Sequence, residues 1–158
     1  CLLGGKVRYH GGDAYCGNPT LRLWAAQGRI VPLCPEVAAG NPVPRAPSEI
    51  VGIGGGAGVM AGTAQIKHRD GEDVTAMYLP GAAIALELAQ QNQIQMAILK
   101  SGSPSCGNLI YDGSFSGNKI DAMGIVAYWL NHHGIKVFNE DQISDADAYL
   151  QTLMRAAD

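Results

Sequence analysis

Apolar runs of strand length alternate along this chain with stretches of helical spacing, and cysteines stand where the runs end. Residues 29–33, Arg-Ile-Val-Pro-Leu, have the length of a buried strand and stop at Cys34-Pro35-Glu36. Residues 96–99 form a second run and feed the loop Lys100-Ser101-Gly102-Ser103-Pro104-Ser105-Cys106-Gly107. Residues 135–138 make a third, and residues 60–67 read as extended after a glycine-punctuated stretch. Helices are expected over 21–26 behind Asn18-Pro19-Thr20, over 74–91 with Asp73 as N-cap, over 120–132 with Gly134 as C-cap, and from Ser144 to residue 155. This alternation predicts one α/β domain over residues 1–158, with a mainly parallel, Rossmann-like sheet flanked by helices.

In such sheets ligands bind beyond the carboxyl ends of the strands. Cys34 and Cys106 follow two expected strands there. Cys1 opens a Gly-rich turn, where a first strand would just have ended if residues precede it. The three cysteines are therefore expected on one rim, whereas Cys16, in the loop Asp13-Ala14-Tyr15-Cys16-Gly17, reads as structural. Hydrophobic residues make up 47% of the 158 and charged residues 16%, enough for a real core. A net charge of −3 argues against the basic face that nucleic acid requires. No apolar run reaches the roughly 18 residues of a membrane span. Four cysteines in a chain of this length fit a reducing, cytoplasmic setting. The sequence leaves monomer and homodimer equally open.

Three thiolates on one rim suit a metal centre. Structural zinc would show close C-x-x-C pairs, and none is present; His10, His68, His132 and His133 form no ligand pattern. A cysteine nucleophile needs one thiol and leaves two unexplained. Soft thiolates favour an iron–sulfur cluster, and a cubane held by only three keeps one iron open as a Lewis acid.

The words around the cysteines narrow this further. Cys1-Leu2-Leu3-Gly4, Val7-Arg8-Tyr9-His10-Gly11-Gly12, Val31-Pro32-Leu33-Cys34-Pro35-Glu36-Val37 and Pro42-Val43-Pro44-Arg45 occur in that order. They are followed by Ala97-Ile98-Leu99-Lys100, Ser103-Pro104-Ser105-Cys106-Gly107, Ile110-Tyr111-Asp112-Gly113-Ser114-Phe115-Ser116-Gly117 and Gly134-Ile135-Lys136-Val137-Phe138. Together these motifs resemble the thiouracil desulfidase family, also catalogued as domain of unknown function 523, over nearly the whole chain. Two departures stand out. The family usually has a short strand and Ser-Ala before the first cysteine, which implies that residues precede Cys1. It usually has Asp where this chain has His10, which leaves open any role carried by that side chain.

The resemblance implies a [4Fe–4S] cluster on Cys1, Cys34 and Cys106. It implies non-redox desulfidation of 2- or 4-thiouracil, of hydrolytic or lyase type, with release of hydrosulfide. The expected partner is thus a small thiolated pyrimidine, with neither nucleic acid nor membrane involved. It favours Glu36 as the proton-transferring carboxylate and Ser103 as the hydroxyl beside it. Read as residues alone, Glu36 serves equally well as a cap or a partner of Arg45, and Ser103 as a turn residue. Ser101 and Ser105 are weaker candidates. Arg8, Arg45 and Glu49 read as loop anchors, and Lys100 as a strand-end lysine that either faces an anionic ligand or, as is more usual, is solvated. The run from Gly52 to Gly58 lacks the Lys-Ser/Thr of a phosphate loop and an evident following helix. The competing functions are a non-catalytic iron–sulfur or zinc module and a sulfur-inserting or redox enzyme.

Overall fold

The computed structural model describes residues 1–157. Six helices and six strands follow in the order α1 (Pro19–Ala26), α2 (Pro35–Ala38), β1 (Ser48–Gly52), α3 (Gly55–Ala61), β2 (Ala64–His68), α4 (Thr75–Gln91), β3 (Met96–Leu99), β4 (Ile110–Tyr111), β5 (Lys119–Ile120), α5 (Ile125–His132), β6 (Lys136–Asn139) and α6 (Ile143–Ala156). The fold is mixed α/β, as expected, but the mainly parallel sheet is not found. Among the described residues the strands form three two-stranded sheets: β1 with β2 and β4 with β5, both antiparallel, and β3 with β6, parallel.

The correction centres on residues 29–33, which are not a strand. Pro32 has no N–H to give a ladder. Ile30 to Leu33 and β3 both line a cavity of about 730 Å³ that also reaches Cys1, and no ladder joins them. The helix expected over 120–132 begins only at Ile125, because Ile120 is paired in the β4–β5 hairpin. A helix, α3, starts within the glycine run at Gly55, where none was evident from the sequence; its Gly56 lies so close to α5 that a Cβ would sit 2.5 Å from the Gly124 carbonyl oxygen. Asp73 is not the N-cap of α4: the helix begins at Thr75 behind Val74, and Asp73 closes the preceding turn by accepting from the Thr75 N–H at 2.9 Å. Ser144 lies inside α6 instead of capping it.

The main core joins α3, α4 and α5 to the sheets through Ile50, Ile66, Val74, Ile110, Ile125 and Val126. A second cluster, Leu21, Trp24, Phe138, Ile143 and Ala146, locks α1 onto α6 and β6. Two close backbone approaches in this frame position the cysteine loops. Gly81, inside α4, lets α2 lie against it: a Cβ there would meet the Pro35 carbonyl oxygen at 2.8 Å. Cys34 is the residue immediately before α2. The Cys106 loop is docked on the start of α5. The N–H groups of Ile125 and Val126 donate to the Pro104 and Ser105 carbonyls at 2.9 Å, and Gly124 N–H to Gly107 at 2.7 Å. The loop thus satisfies the donors that a helix start leaves free.

A Cβ at Gly124 would stand 2.5 Å from both the Pro104 and the Ser105 carbonyl oxygens. Gly124→Ala is therefore expected to destabilise the protein by about 1–3 kcal/mol. It should also lower the iron content after reconstitution, because relief of the clash displaces the Cys106 loop. Urea unfolding and iron analysis of the variant check both effects.

Candidate functional site

Cys1, Cys34, Cys106, Glu36 and Ser103 all line one cavity of about 450 Å³. Three separate local structures bring them there. The Cys1 carbonyl accepts from Gly4 N–H at 2.9 Å and Ala14 N–H at 3.3 Å, which folds the first turn back on itself. Cys34 stands in extended backbone (φ −107°) before Pro35, whose fixed φ opens α2. Cys106 is held by the docking of its loop on α5. Its own N–H and that of Ser105 both donate to Ser103 Oγ at 3.1 Å.

All four cysteines are unpaired and half-buried. Burial pushes the Cys106 thiol well above its ordinary range, and the negative groups Glu36 and Cys34 push it further. Cys106 therefore has to give up a proton when it takes a metal, and loading is coupled to pH. Cys16 lines neither this cavity nor the apolar one. Its thiol faces the Glu140 carbonyl oxygen at 4.0 Å, and it packs against the Trp24 cluster.

Thiols are soft donors of the kind that iron–sulfur clusters take. Tetrahedral zinc with Zn–S near 2.3 Å holds its sulfurs about 3.8 Å apart. Among the described residues, the one set of three metal-ligating side chains with all ligand atoms within 4.8 Å is His68, Asp70 and Glu72, on an exposed turn. The three thiols are not such a set, although they share one cavity.

Glu36 and Ser103 are joined. Ser103 Oγ donates to Glu36 Oε1 at 3.2 Å, and because its oxygen also receives two amide N–H groups, its hydrogen is directed at that carboxylate. Arg45 grips the other carboxylate oxygen, with Nε donating to Oε2 at 2.8 Å and a second contact through Nη2. The guanidinium also donates to the Val7 carbonyl at 3.2 Å and the Pro42 carbonyl at 3.1 Å. The two readings of Glu36, ion-pair partner of Arg45 and carboxylate at the cysteine site, are thus both realised in one geometry.

Side chains of Arg45 and Glu36 are only 6% and 12% exposed. Arg45→Ala would leave Glu36 buried without its counter-charge and should cost about 3–5 kcal/mol. Adding Glu36→Gln to that variant should recover part of the loss, measurable as the urea midpoint.

Other parts of the wall were not visible in the sequence. Tyr78, on the inner face of α4, is 3% exposed, and its hydroxyl donates to Ser48 Oγ at 3.1 Å. Burial raises its ionisation above the usual tyrosine range, and the neighbouring Glu36 charge adds to this. Glu49 accepts from Phe115 N–H at 3.0 Å and ties down the 112–117 loop, a loop-anchoring role of the kind expected. Phe115 sits in the left-handed region (φ 57°) under the Arg69 guanidinium, 5.3 Å from the ring centroid. His10 Nδ1 accepts from Gly12 N–H at 3.0 Å, so its side chain closes a turn. Lys100 is not solvated as expected: it pairs with Glu140.

A mixed α/β frame thus gathers three loop cysteines around one cavity, beside a largely buried Ser–Glu–Arg array. The chain belongs to the 2-thiouracil desulfurase family, whose model matches residues 1–142. It is 41% identical over 146 residues to the uncharacterised protein YbbK of Bacillus subtilis (strain 168), covering 92% of this chain and 95% of that one. Its structure is similar to that of the [4Fe–4S]-dependent thiouracil desulfidase TudS (DUF523Vcz), with a TM-score of 0.86 and 39% identity over 96% of this chain and 94% of that one.

Proposed function

We propose that this chain hydrolyses the thiocarbonyl of a thiolated uracil to uracil and hydrosulfide, without net redox change, at a [4Fe–4S] cluster held by Cys1, Cys34 and Cys106. The observation that carries this reading is the single cavity shared by three thiols and the Glu36–Ser103 pair, in a member of the 2-thiouracil desulfurase family. When bound, the cluster supplies one iron without a protein ligand, a soft Lewis acid that makes a thiocarbonyl carbon electrophilic.

The chain's own residues do the rest. Glu36 takes a proton from the attacking water. Arg45 holds Oε2, so that Oε1 is the oxygen left to exchange protons. Ser103 orients Oε1 and returns the proton to the departing sulfur or the ring nitrogen. Tyr78 and Phe115 close the walls around a small heterocycle, and the cavity of about 450 Å³ lies in the size range of ligand pockets. The atoms balance as thiouracil plus water giving uracil plus hydrogen sulfide. The same proposal places the activity in one domain in the cytoplasm, acting on a free pyrimidine. No helix among the described residues is long and apolar enough to cross a membrane.

The test is turnover of 2- and 4-thiouracil in ¹⁸O-water under anaerobic conditions. The uracil formed should carry the label and no reductant should be consumed. Unlabelled uracil, or a requirement for added electrons, would exclude hydrolysis.

A further inference from the structure

The parallel β3–β6 pair ends at Leu99 opposite Asn139, so the next residues on the two strands, Lys100 and Glu140, leave the sheet side by side. Their side chains form an ion pair. Glu140 also accepts from Ser101 N–H at 2.8 Å and Ser101 Oγ at 2.9 Å, and Lys100 Nζ donates to the Ser101 carbonyl at 3.1 Å. Burial alone would raise the Glu140 carboxyl, but these donors hold it below the ordinary range, so the carboxylate is fixed and charged.

The pair is oriented. Lys100 lines both cavities that contain Cys1, Cys34 and Cys106, whereas Glu140 lines neither. Two of the three ammonium N–H groups have protein acceptors; the third has none among the described residues. The positive end of this half-buried ion pair therefore lies on the walls that the three thiols also line.

We infer that Lys100, anchored by Glu140, is a positioning residue that offsets the negative charge of the metal centre and of the hydrosulfide anion made there. This rests on the proposed cluster. A cluster on three thiolates is net anionic, and a product anion adds to the charge. A fixed cation at the wall lowers the cost of that charge, the more so for being half-buried. Its carboxylate partner, farther out, keeps the lysine placed while weakening its field.

The experiment uses the anaerobically reconstituted protein and the variants Lys100→Met, Lys100→Arg and Glu140→Gln. The cluster reduction midpoint should move to more negative potential in Lys100→Met and to more positive potential in Glu140→Gln. Lys100→Arg should stay near the parent. Hydrosulfide, titrated against the cluster absorbance, should bind Lys100→Met about tenfold more weakly. A purely structural role would shift the Met and Gln variants in the same direction, and that result, or no shift in either, overturns the inference. If Lys100→Met fails to load iron, the sign of the Glu140→Gln shift decides alone. A parent protein that binds no cluster sinks the proposed function itself, a separate and recognisable outcome.

Discussion

Glu36→Gln is expected to lower the turnover of thiouracil by about two to four orders of magnitude while leaving the iron–sulfur absorbance intact. Glutamine keeps the size of the side chain and an oxygen for Ser103, but cannot accept the proton of water. Arg45 loses its counter-charge in this variant yet keeps its bonds to the Val7 and Pro42 carbonyls. The fold should thus suffer far less than in Arg45→Ala. Because the lost proton transfer belongs to the transition state, kcat should fall with KM nearly unchanged. Single-turnover loss of the thiocarbonyl absorbance, followed alongside the cluster bands, separates the two effects. If the variant loses its cluster, Glu36 serves assembly and another group moves the proton.

Cys34→Ala should abolish the cluster and all turnover, whereas Cys16→Ala should leave both within a factor of two. Cys34 is one of only three thiols on the cavity, and no fourth lies there to replace it. Removing it leaves two ligands for a centre that needs three. Cys16 packs beneath Trp24 and Phe138, away from that wall. Its truncation should cost stability of about 1 kcal/mol through lost packing and leave the chemistry untouched. Iron and sulfide content of each purified variant, with the absorbance near the thiolate-to-iron bands, is the check. Iron loss in Cys16→Ala would assign it to the wrong group.

The cysteine site was legible because its members sit in Gly/Pro-rich loops, where an apolar filler role has little to recommend it. The Glu36 contacts were legible in part: Arg45 is nine residues away along the chain, and both were named as partners. The sheet was not legible. Residues 29–33 have the composition of a buried strand, but a proline within the run and the cavity beside it leave them extended and unladdered. Antiparallel pairing of β1 with β2 depends on α3, and its glycines hid that short helix. Tyr78 escaped because an aromatic on the inner face of a helix looks like core until its hydroxyl partner is placed. Lys100 and Glu140 are forty residues apart and meet only through the register of β3 on β6.

Iron-dependent desulfidation is read out by the hydrosulfide released per thiouracil consumed, followed in a single anaerobic sample before iron removal, after it, and after reconstitution. The protein should release one hydrosulfide per uracil formed, show no activity when iron-free, and recover in proportion to the iron restored. Desulfidation that persists without iron would contradict the proposed function.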